Sequence, residues 1–274
     1  MQARQPRVFR RYIRYREALE AANRLQTAPD GRRYVIRFNV GQRIEHLVLI
    51  FSFTILSVTG LAQTYYKSPA GDFILLSLGG MGSTQLIHHT VAFIFLLQAL
   101  YHLVLFINNL FVFHHISKIL PNSKDISDLA AMLKLDLGLS KSHPHFDRFN
   151  FEEKIMYWSL VWGAILLAIS GLMQWFPMQV TVLLPGWTIP VARIVHRWEA
   201  ILAVLTILTW HLYHTLIKTR NFSIFTGKMT MKQMRAEHPL ELTYLEHATA
   251  AVKSRSWPVK IEFVIQEPGP KPEP

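Results

Sequence analysis

No cysteine occurs among the 274 residues. That absence excludes disulfides, cysteine-held iron–sulfur clusters and thioether-attached haem within this chain. Charge is also sparse, at 17% of residues, and it is unevenly placed, so long stretches carry almost none. Any cofactor must then be held by histidine, methionine, carboxylate or backbone groups. Thirteen histidines are present.

What the chain has in plenty is apolar surface. Half of its residues are hydrophobic, and they gather into four blocks near 47–65, 86–113, 155–176 and 191–217. With its flanks, each block is long enough to cross a hydrocarbon core of about 30 Å. The expectation is an all-α integral membrane protein: a four-transmembrane-helix up-down bundle over 42–217, with a basic N-terminal segment 1–41 and a C-terminal tail 218–274. More than forty polar, arginine-rich residues precede the first block, so it does not read as a cleavable signal peptide.

A net charge of +11 raises the question of nucleic acid, and its distribution answers it. Residues 1–43 hold eleven arginines against three acids, segment 113–154 holds six basic residues and 217–274 holds nine, whereas the other two connections hold only Lys67 and Arg193. By the positive-inside rule both termini and the long 113–154 loop are cytoplasmic; the expected location is the bacterial inner membrane. The basicity is then an address on anionic lipid, and no nucleic-acid partner is expected.

Outside the four blocks the expectations are modest. Residues 1–43, with Arg10, Arg11, Arg14 and Arg16 interleaved with Phe9, Tyr12, Ile13 and Tyr15, read as a basic amphipathic helix on the membrane surface or as a solvated tail. The long loop predicts a short helix over Lys124–Leu133 capped by Ser123. Its His143-Pro144-His145 makes a poor metal site, having only two ligands, and His114 and His115 read as interfacial. The tail predicts a helix near 230–252, an alternating run Val259–Val264 that can add a strand to a partner, and a disordered Pro-rich end.

The fourth block is the informative one. It carries a histidine at each end, His196 and His211, and fifteen residues of helix set them roughly 22 Å apart. Ionisable groups at membrane depth are costly and usually functional, and imidazole is a common axial ligand of haem iron. In the second block His88 and His102 return to within about 40° of one face, whereas His89 points about 140° away from His102. In an up-down bundle His88 and His196 share the outer depth, while His46, His102 and His211 share the inner one. Ala92 and Ala200 follow His88 and His196 by one turn and leave room for a flat porphyrin, whereas Phe93 follows His89. Arg43, Arg193 and Arg197 can pair with haem propionates. The third block has no histidine; Trp158, Trp162 and Trp175 read as an aromatic belt, and Gly163 and Gly171 as points of close helix approach. The rival reading is a haem-free transporter or proton relay.

Several stretches are familiar in combination: Arg43-Ile44-Glu45-His46, Ser57-Val58-Thr59-Gly60-Leu61, Leu86-Ile87-His88-His89, Tyr157-Trp158, Ser170-Gly171-Leu172, and His196 through His211-Leu212-Tyr213. Together they resemble the di-haem transmembrane cytochrome b family, which includes the gamma subunits of respiratory formate dehydrogenases and the cytochrome b subunits of nickel–iron hydrogenases. Phe146-Asp147-Arg148-Phe149-Asn150-Phe151-Glu152-Glu153-Lys154, with His196-Arg197-Trp198-Glu199-Ala200, is more similar to a branch found beside multihaem c-type cytochromes. The resemblance implies two b-type haems, one held by His88 and His196 near the outer face and one by His46 and His211 near the inner face. It also implies a quinone, menaquinone or ubiquinone, beside the inner haem, and redox partners such as a multihaem c-type cytochrome or an iron–sulfur protein. Such a chain is an electron-transfer subunit and not a stand-alone enzyme. Two departures stand out: the His196–His211 spacing is one residue longer than in formate dehydrogenase gamma subunits, and His102 is additional. His102 is either an alternative inner ligand or a proton carrier for quinone.

Overall fold

The structure, a computed structural model, describes residues 8–13, 15–112, 118–140, 144–254 and 259–264. His114, His115, His143, the first seven residues and the Pro-rich end lie outside them. The chain divides into two compact units: one of Met1–Asn39, Ser117–Lys154 and Thr226–Pro274, the other of Val40–Ile116 and Ile155–Phe225.

Among the described residues, four helices are long and apolar enough to cross a membrane. They are α2 (Val40–Thr64), α4 (Gly80–Ile107), α6 (Phe151–Trp175) and α8 (Thr188–Thr206). A π-turn, Asn108–Val112, prolongs α4, and two more, Ile207–His211 and Tyr213–Lys218, prolong α8. Short helices α3 (Pro69–Ser77) and α7 (Pro177–Leu183) sit in the two tight connections, each opened by a proline whose missing N–H costs nothing at that position. Gly79 and Gly80 enter α4 at φ of +86° and +90°, which a side chain would strain.

The bundle presents apolar side chains outward along its whole length: Phe51 is 67% exposed, Leu97 52%, Trp162 62% and Leu202 57%. In water such a surface would aggregate; in lipid it is the solvated face. Hydroxyls in these helices turn back on their own backbone, as Ser57 donates to Phe53 O at 2.7 Å and Thr90 to Leu86 O at 2.8 Å, which spares these donors from facing hydrocarbon bare. The chain is thus an α-helical integral membrane protein.

The other unit is built from segments far apart in sequence. Its core joins α1 (Tyr15–Arg24), the antiparallel sheet β2 (Leu25–Thr27), β3 (Arg33–Ile36) and β4 (Lys228–Thr230), and α10 (Met231–Glu237) with α11 (Pro239–Ser254). Ala18, Val35, Met229, Met234, Leu245 and Ala248 meet there, fully buried or nearly so. The described residues also form α5 (Ser123–Asp136) and the single turn α9 (Ser223–Thr226).

Three local expectations change. Val8–Ile13 is a strand, β1, and not helix; it pairs antiparallel with β5 (Val259–Val264), so the alternating run finds its partner within the chain. The cap of α5 is Asn122, one residue earlier than Ser123, because Asp125 returns the bond and closes a capping box. The tail helix breaks at His238 because Pro239 disfavours helical backbone before it.

Within this unit a buried ion network ties the segments together. Glu241, fully buried, accepts from Arg24 and Lys118. Lys118 also reaches Asp147 at 2.9 Å, and Arg37, 2% exposed, reaches Glu153 at 3.3 Å. Removing one partner from a buried set of this kind costs about 3–5 kcal/mol. Burial alone would raise the Glu241 carboxyl; Lys118 and Arg24 hold it well below the usual carboxylate range. His238 donates Nδ1–H to Asp147 O at 2.7 Å, and burial, reinforced by Arg37, depresses its imidazole to about 4.

A depressed imidazole favours the folded state while it is neutral. Its contribution is complete above the unfolded value near 6.5 and is lost as pH falls through about 4, amounting to about 3 kcal/mol. Glu241 acts in the same direction at still lower pH. Limited proteolysis of the C-terminal segment should therefore accelerate between pH 6.5 and 4, and His238→Asn, which keeps a donor for Asp147 O, should flatten that step. An identical pH profile in the variant would contradict the assignment.

Candidate functional site

At the end of the bundle where α2 finishes and α4 begins, His88 on α4 and His196 on α8 bring their ring centres to 6.4 Å. Both rings are anchored from behind in the same way. His88 Nδ1 lies 2.8 Å from Thr59 Oγ1, and the only hydroxyl proton of Thr59 goes to its own backbone, to Ile55 O at 2.7 Å. Thr59 must therefore accept, and His88 Nδ1 carries the hydrogen. His196 Nδ1 lies 3.1 Å from Leu167 O, which can only accept, and 3.1 Å from Ser170 Oγ, whose proton goes to Leu166 O. The same tautomer results. In each ring Nε2 is left with a bare lone pair, which is what a metal ligand requires.

Glycine makes these positions possible. A Cβ on Gly60 would stand 3.2 Å from His88 Cε1, and one on Gly171 would stand 3.1 Å from His196 Cε1. Gly163, expected as a helix contact, instead makes room for the Glu199 carboxylate, whose Oε1 lies 2.6 Å from where its Cβ would be. Beside Ser170 a cavity of about 220 Å³ opens between α6 and α8, lined by Leu166, Met173, Ala192 and Val195.

At the opposite end, His46 on α2 and His211 at the close of the π-turn on α8 stand 6.3 Å apart, centre to centre. His211 Nδ1 donates to Met156 Sδ at 3.2 Å and so again leaves Nε2 bare. His46 Nδ1 is buried without a partner among the described residues, as is Arg43 Nε nearby in sequence. The π-turn spans one residue more than an α-helical turn, and it takes up the extra residue between His196 and His211.

With a first-row metal–imidazole bond of about 2.0–2.1 Å and about 1.1 Å from nitrogen to ring centre, two rings on opposite sides of one metal stand roughly 6.3 Å apart. Both pairs have that separation. Separation alone does not select a pair, since the sequence neighbours His88 and His89 also lie 6.4 Å apart. Anchoring does: His89 stacks flat on Trp175 at 4.4 Å and turns away from the interior. Among the described residues no three histidines or acids come together around a metal, so each pair can hold only a metal that brings most of its ligands with it, as haem does.

His102 is differently placed. Its Nδ1 lies 2.9 Å from Glu45 Oε2 and its Nε2 lies 3.0 Å from the Tyr157 hydroxyl, so both nitrogens are engaged. Of the arginines, Arg197 lies over the Tyr65 ring at 5.3 Å and Arg193 is exposed. Thr59, Ser170, Met156, Glu45 and Tyr157 are the residues that reading the sequence did not assign to the site.

Comparison with known proteins gives a consistent picture. The family described as prokaryotic cytochrome b561 matches residues 37–228. The cytochrome b556(fdo) subunit of formate dehydrogenase from Escherichia coli K12 is 22% identical over 219 residues, covering 76% of this chain and 92% of that one. The cytochrome b556(Fdn) subunit of the nitrate-inducible formate dehydrogenase of the same strain is 21% identical over 230 residues, covering 81% and 96%.

The glycine cradles generate a direct expectation. Gly171→Val pushes branched carbon into the His196 ring and should lower the thermal midpoint of the purified chain by the equivalent of about 1–3 kcal/mol. Gly82→Val, with open space around it, should change the midpoint little. Equal effects at the two positions would show that Gly171 does not cradle the ring.

Proposed function

The chain belongs to the prokaryotic cytochrome b561 family and is a haem-b membrane cytochrome of respiratory electron transfer, and on that premise we propose that it is a di-haem subunit linking the quinone pool to partner redox proteins. The observation that carries this reading is the pair of imidazole pairs at opposite ends of the bundle, 6.4 and 6.3 Å apart, with the tautomer fixed in three of the four rings. His88 and His196 hold one haem, and His46 and His211 the other. Haem iron with two imidazoles supplies one-electron transfer and leaves no position open for oxygen or substrate.

The chain's own residues orient and tune. Thr59, Leu167 with Ser170, and Met156 each take the Nδ1–H of a ligand ring, which fixes its direction and leaves Nε2 for iron. Arg43, whose buried Nε has no partner among the described residues, is suited to a propionate at its end, and Arg193 and Arg197 to one at the other. His102 has no nitrogen to spare for iron, which favours His46 as the inner ligand. The charge distribution puts both termini in the cytoplasm and the His46–His211 site near that face. Quinone, menaquinone or ubiquinone, meets the inner haem from the lipid. The relatives are named as subunits of formate dehydrogenases, and by analogy this chain works with other redox subunits, a multihaem c-type cytochrome or an iron–sulfur protein.

Substitution separates the two sites. His88→Ala or His196→Ala should leave one haem per chain, with the midpoint of the inner one retained. His46→Ala or His211→Ala should leave the other. His102→Ala should keep both. Pyridine haemochromogen content and redox titration of each variant decide it, and two haems retained in His88→Ala would defeat the ligand assignment.

A further inference from the structure

The bundle is a helix hairpin used twice. Arg37-Phe38-Asn39 before α2 and Arg148-Phe149-Asn150 before α6 are the same tripeptide, 111 residues apart. The same offset carries Arg43-Ile44 onto Lys154-Ile155, and Thr59-Gly60-Leu61 onto Ser170-Gly171-Leu172. Pro69 opens α3 as Pro177 opens α7, and His88 with Ala92 on α4 answers His196 with Ala200 on α8. The contacts repeat along with the residues: a hydroxyl on α2 holds His88 Nδ1 as a hydroxyl on α6 holds His196 Nδ1, and Gly60 and Gly171 face the matching Cε1 atoms at 3.2 and 3.1 Å.

The repeat continues to the other end, where it produces a second, altered copy of a haem corner. His102 on α4 corresponds to His211 on α8 once the residue taken up by the π-turn is counted. His211 Nδ1 meets Met156 Sδ at 3.2 Å, and His102 Nδ1 meets Glu45 Oε2 at 2.9 Å, Glu45 and Met156 being equivalent positions. His46 faces His211 at 6.3 Å, and its equivalent Tyr157 faces His102 at 6.1 Å. One corner thus has thioether, imidazole and imidazole; its twin has carboxylate, imidazole and phenol.

The exchange alters what the corner can bind. The Tyr157 hydroxyl occupies His102 Nε2, so the imidazole is closed to iron and the pair becomes a chain of hydrogen-bonding groups, backed by Glu45. Aromatic rings flank it: Trp158 lies 5.5 Å from Tyr157 and 6.2 Å from Phe106. Gln98 donates to Glu45 O at 2.6 Å and keeps a buried Oε1 without a partner among the described residues. The His102 side chain is 47% exposed on a helix that otherwise meets lipid, so the corner opens to the bilayer. A flat ring bearing opposed oxygens, arriving from the lipid, fits aromatic walls and these polar groups; a phosphate would need a cation, and neither Tyr157, Glu45 nor Gln98 is one.

We propose that this second corner, Tyr157 and His102 backed by Glu45, is the docking site of the quinone headgroup, with the Tyr157 hydroxyl hydrogen-bonded to one of its oxygens and the His102–Glu45 pair behind that hydroxyl. The assignment rests on the quinone reading given above, and specifies where on the chain that reading is carried out.

The test uses the purified full chain with menadiol and decylubiquinol as reductants. Tyr157→Phe should keep both haems and the full dithionite-reduced spectrum, and should raise the quinol concentration needed for half-maximal haem reduction by about tenfold, the worth of one lost hydrogen bond in a dry site. An unchanged requirement, or loss of a haem from Tyr157→Phe, would overturn the site. Photolabelling of the wild-type chain with an azidoquinone needs no variant: label on peptides holding His102 and Tyr157 supports the site, and label confined to the surroundings of His211 overturns it. If neither quinol reduces the wild-type haems while dithionite does, the quinone reading itself fails, and this assignment with it.

Discussion

Everything at the two ends of the bundle depends on where the Nδ1 hydrogens go. An imidazole in hydrocarbon that is free to rotate and to exchange tautomers is a poor ligand, because both its direction and its lone pair are undetermined. Here a neighbouring helix removes that freedom. Thr59 and Ser170 first spend their own protons on backbone carbonyls one turn back, and so can only accept. The ordinary habit of hydroxyls in membrane helices thereby becomes a device for fixing a ring. The requirement propagates outward: a ring held against a hydroxyl needs a glycine beside it, and α2 and α6 each supply the hydroxyl and the glycine as adjacent residues.

The second unit solves the opposite problem. Its segments come from three parts of the chain, and buried ions there are paired, Glu241 with Arg24 and Lys118, Arg37 with Glu153 and Lys154 with Asp125. Such a network adds little stability relative to an apolar core, yet it penalises any misassembly that leaves one charge alone. Arg37-Phe38-Asn39 and Arg148-Phe149-Asn150 both lie in this unit, immediately before α2 and α6. Asn150 also caps α6: its side-chain oxygen accepts from Glu153 N–H, and its own N–H donates to the Glu153 carboxylate.

The four spans were legible because hydrocarbon leaves only one choice to a long apolar segment, and depth was legible because rise per residue is fixed. Thus spacing puts His88 at one depth with His196, and resemblance adds the pairing of His46 with His211. What spacing does not carry is the identity of the group behind each ring. Thr59 and Ser170 look like any back-bonding hydroxyl, and Gly171 like any packing glycine. The choice between His46 and His102 was open because both lie at one depth; it turns on Glu45 and Tyr157, which reach His102 from α2 and α6. The π-turn before His211 showed in the sequence only as one residue too many. In the polar unit the strand Val8–Ile13 escaped because its partner, Val259–Val264, lies at the far end of the chain, and tertiary pairing of that range leaves no local trace.

The proposed function stands on two imidazole pairs that each hold a haem. The measurement that bears on it most directly is the haem-to-polypeptide ratio of the purified full chain, taken with a potentiometric titration of its reduced-minus-oxidised spectrum. The account predicts two b haems per chain with separable midpoints. A ratio of one, or a folded chain without a Soret band, would contradict it.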